Sequence, residues 1–220
     1  RTFYTVTPIY YQHICYGYCV SDGSLFALKS ELSYLWTVNI GMALENIRKW
    51  QWINRMNEKI NRMWKYDMLT QVLNRSGFFY CAETILQKIK EEKSNAFIIF
   101  LDIDGLKSVN DNLGHEIGDA FIAKIAGILK EVVPKDCLIM RYGGDEFVVF
   151  GSCKQAGRMQ RIAEDIKAAI KTADQKENRS YHLAASLGCS LHKSYEMDNL
   201  NSLIELADKK MYEEKKNKRR

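Results

Sequence analysis

Arg141-Tyr142-Gly143-Gly144-Asp145-Glu146-Phe147 joins two apolar runs, residues 137–140 and 147–150. Two β-like runs meeting at a Gly-Gly pair predict a tight hairpin, because primed turns need positive φ at their central residues. Two adjacent carboxylates leave that turn. Acids beside a bare glycine backbone suit a cation that carries a phosphate: the glycines allow close approach and the acids hold the ion.

Upstream of the hairpin, Ala96-Phe97-Ile98-Ile99-Phe100-Leu101 is a continuous apolar run, as expected of a strand buried on both faces. It leads straight into Asp102 and Asp104. Two acidic pairs thus end buried strands, and neighbouring strands would bring them close together. Like charges so placed need a cation or a shared proton. Oxygen-only ligands favour Mg²⁺ or Mn²⁺ over zinc, and Mg²⁺ held by few carboxylates commonly shares its shell with substrate phosphates. The residues alone therefore point to metal-dependent phosphoryl or nucleotidyl transfer.

Around this centre, apolar spacing predicts a helix from about Asp119 with Ile122, Ile125, Ala126, Leu129 and Val133 on one face, stopped by Pro134. A second helix carries Met159, Ile162, Ala163, Ile166 and Ile170. Residues 181–190 read as another strand, and Leu203, Ala207 and Met211 mark a final helix. Strands and helices around a hairpin predict an α+β domain with a mixed or antiparallel sheet.

Three zones are expected. Residues 1–24 are aromatic and β-like, the tail of an upstream sensor domain with a faint likeness to the closing strands of a GAF-type domain. Residues 25–66 contain one glycine and no proline, and predict a long linker helix. On it Ile53, Met56, Ile60 and Met63 form a short heptad-like seam, read either as a face packed on its own domain or as a dimerising stripe. Residues 67–220 form the output domain.

The composition is that of a water-soluble globular protein: 220 residues, 46% hydrophobic, 27% charged, net charge +5. Much of the positive charge lies in residues 209–220, which argues against a domain-wide surface for a nucleic-acid polymer. Six cysteines form no CxxC pair and read as free, mostly buried thiols in a reducing compartment. No apolar run approaches the roughly 18 residues of a membrane span, and no signal peptide is visible. The chain starts at Arg1, so it reads as a fragment. A cytoplasmic location is expected, with a membrane anchor elsewhere in the parent protein left open.

Four motifs occur in order: Asp67-Met68-Leu69-Thr70-Gln71-Val72-Leu73-Asn74-Arg75; Asp102-Ile103-Asp104-Gly105-Leu106-Lys107 with Asn110-Asp111 and residues 114–119; Gly143-Gly144-Asp145-Glu146-Phe147; and Ala207-Asp208, Met211-Tyr212 and Lys215. Together they resemble the GGDEF domain of diguanylate cyclases across nearly the whole of residues 67–219. The resemblance implies a palm-like fold, similar to nucleotidyl cyclases and polymerases. It implies condensation of two GTP into cyclic di-GMP and two pyrophosphates, with a homodimer bringing two GTP-loaded domains face to face. Two Mg²⁺ or Mn²⁺ ions per site are implied.

Roles transfer to matching positions. Asp102 and the Ile103 carbonyl would hold metal. Asp145 would bind metal and help activate the hydroxyl, with Glu146 close to the metals. Asn110 and Asp119 match the guanine-binding pair, and a carboxylate at Asp119 suits the donors at guanine N1 and N2, where adenine presents an acceptor. The backbone N–H groups of Gly105 and Leu106 would approach the phosphates, and Lys107, Lys215 and Arg219 would neutralise them. Asp104 reads as a cap of the following segment, His115 as a loop-ordering residue, and Asp67 with Arg75 as a structural ion pair.

Three departures stand out. Gln71 replaces a usual glycine, and Lys218 replaces another beside Arg219. At the family's Arg-x-x-Asp product-inhibition site the chain has Pro134-Lys135-Asp136-Cys137, so feedback there is expected to be absent or weak. The competing reading is a non-catalytic GTP-binding signalling module, against which the retained Asp145 and Glu146 argue.

Overall fold

The computed structural model describes residues 4–22, 30–176, 181–193 and 200–218. The chain divides into two compact units, residues 1–61 and 62–220.

In the first unit, β1 (Tyr4–Tyr11) and β2 (Ile14–Asp22) pair antiparallel as a hairpin. Both strands run longer than the sequence suggests, because the tip is only Gln12-His13, with Gln12 at φ 52°. Helix α1 (Ser30–Lys65) is the long helix expected. Gly41 lets the hairpin approach it: a Cβ there would strike the backbone carbonyl of Tyr10. Below that contact the buried Glu45 accepts hydrogen bonds from the Tyr16 hydroxyl and from Arg48 at 2.8 and 2.9 Å. The bonds from Arg48, followed by that from Tyr16, hold its carboxyl down at about 2. The residues of the heptad-like seam are all exposed, Ile53 by 49% and Ile60 by 60%. In the single chain the seam is therefore uncovered.

The second unit is built on an antiparallel sheet of order β4-β5-β3-β6, formed by β3 (Asn95–Ile103), β4 (Leu138–Arg141), β5 (Glu146–Cys153) and β6 (Ala185–His192). Around it lie α2 (Arg75–Glu91), α3 (Leu106–Leu113), α4 (His115–Val132), α5 (Arg158–Lys176) and α6 (Leu200–Lys218). Period-two alternation sorts β3 into two faces. Phe97, Ile99, Leu101 and Ile103 join Phe147 and Val149 under α3, α4 and α5. Ala96, Ile98 and Phe100 join Val148 and Phe150 under α2 and α6. Each fully buried aromatic or branched side chain contributes ~1.5–3 kcal/mol of transfer free energy. The continuous apolar run of β3 reflects this burial on both faces.

Several expectations need correction. Residues 181–184 are not strand; β6 begins at Ala185, because the Leu183 N–H goes to the Asp174 carboxylate (2.7 Å) and not to a neighbouring strand. The helix expected from Asp119 starts at His115, with α3 as a separate short helix before it. Helix α2 was not anticipated, although Phe78, Ala82, Ile85 and Ile89 follow helical spacing and Asn74 caps its start. Only Cys137 and Cys153 of the six free cysteines are buried.

One side chain ties together the two ends of the turn between α1 and α2. Asn74 Oδ1 accepts from the Gly77 N–H (2.8 Å). Its Nδ2 donates to the carbonyl of Trp64 (2.8 Å), with longer contacts to those of Met63 and Tyr66. Gly77 is bare because a Cβ there would collide with the backbone of Lys65.

Candidate active site

The site forms where β3 ends in the middle of the sheet. Register places Asp102 between Glu146 of β5 and Ser186 of β6. The Ile103 N–H donates to the Asp145 carbonyl at 3.0 Å, so the signature turn is tied to the last residue of β3. Asp104 does not cap α3: its carboxylate accepts from the Ser186 hydroxyl at 2.8 Å, and the N-terminus of α3 has no side-chain cap.

The hairpin tip differs from the primed turn expected. Arg141 and Phe147 are the last pair, which leaves a five-residue connection, 142–146, and neither Gly143 nor Gly144 adopts a left-handed φ. Gly143 has a different reason to be bare: a Cβ there would crowd the Glu146 carboxylate at 2.5 Å. The tip is closed by the Tyr142 N–H donating to the Glu146 carbonyl (2.8 Å). Arg141 closes it from the side, its Nη2 and Nε donating to the Gly144 carbonyl at 2.8 and 3.2 Å.

The same guanidinium reaches the two oxygens of Asp67 at 3.2 and 3.3 Å. Asp67 therefore pairs with Arg141 and not with Arg75, whose guanidinium lies over the Tyr142 ring at 5.4 Å. Burial pushes the Asp67 carboxyl up, but hydrogen bonds from the Thr70 hydroxyl and N–H and from Arg141 outweigh it and hold it below the ordinary value.

The acids at the site repel one another. Burial raises the Asp102 carboxyl; a hydrogen bond from the Lys215 ammonium opposes this, while Asp145 and Asp104 add to it, and the net shift is upward. Glu146 is raised by burial, then by Asp145, Asp102 and Asp208. This donor set, oxygen-only and mutually repelling, fits a hard divalent cation, which would relieve the repulsion. Among the described residues, however, no three Asp, Glu, His or Cys side chains stand close enough to form a ready-made cage. Lys215 is the cation now seated on Asp102.

The other candidate residues flank this centre. Gly105, at φ 80°, starts α3, with Leu106 buried and Lys107 exposed. Asn110 packs so tightly on Gly118 that a Cβ on Gly118 would overlap its Oδ1; Asp119, the next residue along the chain, is exposed. Arg219 lies outside the described residues. Two neighbours escaped the sequence reading: Arg141, although it stands just before the signature, and Asp208, whose charge acts on Glu146 from the closing-helix motif. At the departed product-inhibition positions, Asp136 is held by Arg158 at 2.7 Å, and burial pushes the Cys137 thiol up to about 11.

Comparison with known proteins gives a consistent picture. The family described as "Diguanylate cyclase, GGDEF domain" matches residues 64–220. Diguanylate cyclase A of Treponema denticola is 29% identical over 199 residues, covering 89% of this chain and 53% of that protein. Diguanylate cyclase VdcA of Vibrio cholerae is 32% identical over 168 residues, covering 74% and 48%. An uncharacterized membrane protein of Staphylococcus epidermidis is 31% identical over 146 residues, covering 66% and 39%. The chain thus spans about half or less of the length of these relatives. Among described residues, no helix is long and apolar enough to cross a membrane. In structure, the coiled coil and GGDEF domain of DgcB from Caulobacter crescentus, solved with c-di-GMP, superposes with a TM-score of 0.71 at 23% identity, covering 80% of this chain and 94% of that one. A sensory box/GGDEF family protein of the same organism gives 0.60 at 26% identity, covering 70% and 99%.

Proposed function

The chain belongs to the GGDEF family, and we propose that it is a diguanylate cyclase, joining two GTP molecules into cyclic di-GMP with release of two pyrophosphates. The observation that carries this reading is the pairing of Asp102 with Glu146 across β3 and β5, with the Asp145 backbone bonded to Ile103. All the signature acids are present, and they converge on one sheet end.

In this reading Asn110 and Asp119 hold guanine, with Asp119 accepting from its N1 and N2 donors. The first turn of α3, from Gly105 and Leu106, offers backbone N–H groups to the phosphates. Lys107, Lys215 and Arg219 add positive charge. Asp102, the Ile103 carbonyl, Asp145 and Glu146 would hold divalent cations, two Mg²⁺ or Mn²⁺ per site. When bound, such ions neutralise phosphate charge and lower the pKa of a bound hydroxyl. Asp145 would take part in activating the 3′-hydroxyl. One domain holds one GTP, so the reaction needs a second copy facing the first, and the exposed seam of Ile53, Met56, Ile60 and Met63 on α1 is our candidate for the dimerising stripe. Residues 1–24 then read as the tail of a sensor and 25–66 as the linker that carries its signal to an output domain at 67–220. We place that output domain in the cytoplasm, where GTP is available.

The test is to incubate the full chain with GTP and Mg²⁺ and separate products by chromatography with mass detection. Cyclic di-GMP from the wild-type chain and none from Asp145→Ala supports the assignment. GTP binding without product, even when dimerisation is enforced through α1, refutes it.

A further inference from the structure

Lys215 occupies an unusual post. Its ammonium is hydrogen-bonded to Asp102 Oδ1, and the two side chains are only 22% and 11% exposed. Water therefore does little to screen either charge, and the ammonium is what compensates Asp102 amid Asp104, Asp145 and Glu146. The backbone beneath Lys215 is fixed. Gly188 of β6 lies directly under Ala207 and Met211, Lys210 donates to the Cys189 carbonyl at 3.0 Å, and Glu214 pairs with Lys167 at 2.9 Å. With that backbone held, leaving Asp102 needs movement of the Lys215 side chain alone, a compact ammonium on a flexible four-carbon stem.

We propose that Lys215 is the resident counter-ion of Asp102 in the cation-free site, and that a divalent cation must displace it to reach that carboxylate. This rests on the reading of Asp102 as a metal ligand given above. Ammonium and metal compete for the same oxygen, so Lys215 weakens metal binding to the nucleotide-free protein. A triphosphate offers the displaced ammonium a new anion to sit on. Metal and nucleotide then assist each other's binding, reciprocally and through one side chain. The consequence is a site in which Asp102 keeps a counter-charge until metal and substrate arrive together.

The test uses Mn²⁺ alone, titrated into the nucleotide-free full chain and followed by the electron paramagnetic resonance signal of the free ion. Lys215→Met should bind Mn²⁺ about tenfold more tightly than wild type, equivalent to about 1.4 kcal/mol. Lys215→Arg, which keeps the charge, should remain as weak as wild type, and Asp102→Asn should lose binding. Circular dichroism establishes that each variant is folded, and Mn²⁺ should raise the unfolding midpoint of Lys215→Met more than that of wild type. Equal or weaker Mn²⁺ affinity in Lys215→Met, with binding still lost in Asp102→Asn, overturns the counter-ion role and leaves the metal assignment standing. Unchanged Mn²⁺ binding in Asp102→Asn overturns both.

Discussion

Arg141→Met should loosen the signature hairpin without touching any acid at its tip. The Arg141 and Asp67 side chains are 16% and 24% exposed. Their pairing therefore falls between solvent-exposed ion pairs, worth ~0–1 kcal/mol, and fully buried ones, whose disruption costs ~3–5 kcal/mol. The two bonds to the Gly144 carbonyl are lost as well. Asp67 keeps its Thr70 bonds, which limits the penalty. A loss of about 2–3 kcal/mol is expected, lowering the unfolding midpoint by roughly 4–10 °C for a domain of this size. The assay is thermal and urea unfolding of wild type, Arg141→Met, Asp67→Asn and the double variant, followed by far-ultraviolet circular dichroism. Residues in direct contact should be non-additive, with a coupling of ~1–2 kcal/mol. Asp67 titrates below its ordinary range when folded, so its contribution is present above the unfolded value of about 3.9 and disappears as pH falls through the lower folded value. The difference between wild type and Arg141→Met should shrink accordingly in acid. An unchanged midpoint in Arg141→Met, or additive effects in the double variant, refutes the claim that this guanidinium pins the turn.

Four further outcomes are expected. Gln71 sits at φ 55°, a left-handed conformation costing non-glycine residues ~1–2 kcal/mol; Gln71→Gly should stabilise the chain by ~0.5–1 kcal/mol in urea unfolding, the lost bond from its side chain to the Met68 carbonyl taking back part of the gain. Gly188→Val would drive a side chain into the α6 backbone at Ala207 and Met211, and should cost ~3 kcal/mol or more, with the proposed cyclase activity falling faster than helical signal because Lys215 moves with that helix. The folded-state carboxyl of Glu146 is raised, so it favours folding below its unfolded value and penalises it as pH rises through the folded one; Glu146→Gln should raise the metal-free unfolding midpoint at pH 8 and leave it unchanged at pH 4. In the proposed cyclase, cyclic di-GMP added at the start of turnover should inhibit weakly or not at all through residues 134–137, so that substituting Asp136 leaves its effect on the initial rate unchanged, since Pro134 and Cys137 replace the feedback residues and Asp136 is engaged by Arg158.

What could be read from the chain was local. The run 96–101 ends in Asp102 within a single segment, and the signature acids lie next to one another, so both were visible as strings. The α+β class followed from such strings, and the palm-like form from the family resemblance they carry. Partners distant in sequence were not visible. Asp67 lies eight residues from Arg75 and 74 from Arg141, and nothing in the string ranks the second cation above the first; only the bridge that sets Leu73 beside Met140 decides it. The hold of Lys215 on Asp102 spans 113 residues and depends on how α6 lies across β6. The Gly-Gly pair misled for a different reason. Its reading assumed a backbone requirement, whereas at Gly143 the constraint is room for the Glu146 side chain.

Asn74 carries a mechanical consequence. One amide grips the last carbonyls of α1 with its nitrogen and the first turn of α2 with its oxygen, while the backbone of Lys65 presses on Gly77 with no room for even a methyl group. Such a joint behaves as a knuckle without slack. Torque arriving along the final turn of α1 would therefore bypass the connection 66–74, whose two ends this amide ties together. It would pass to α2 and, through the backbone bonds of Leu73 to Ile139 and Arg141, to the strand that leads into the signature turn.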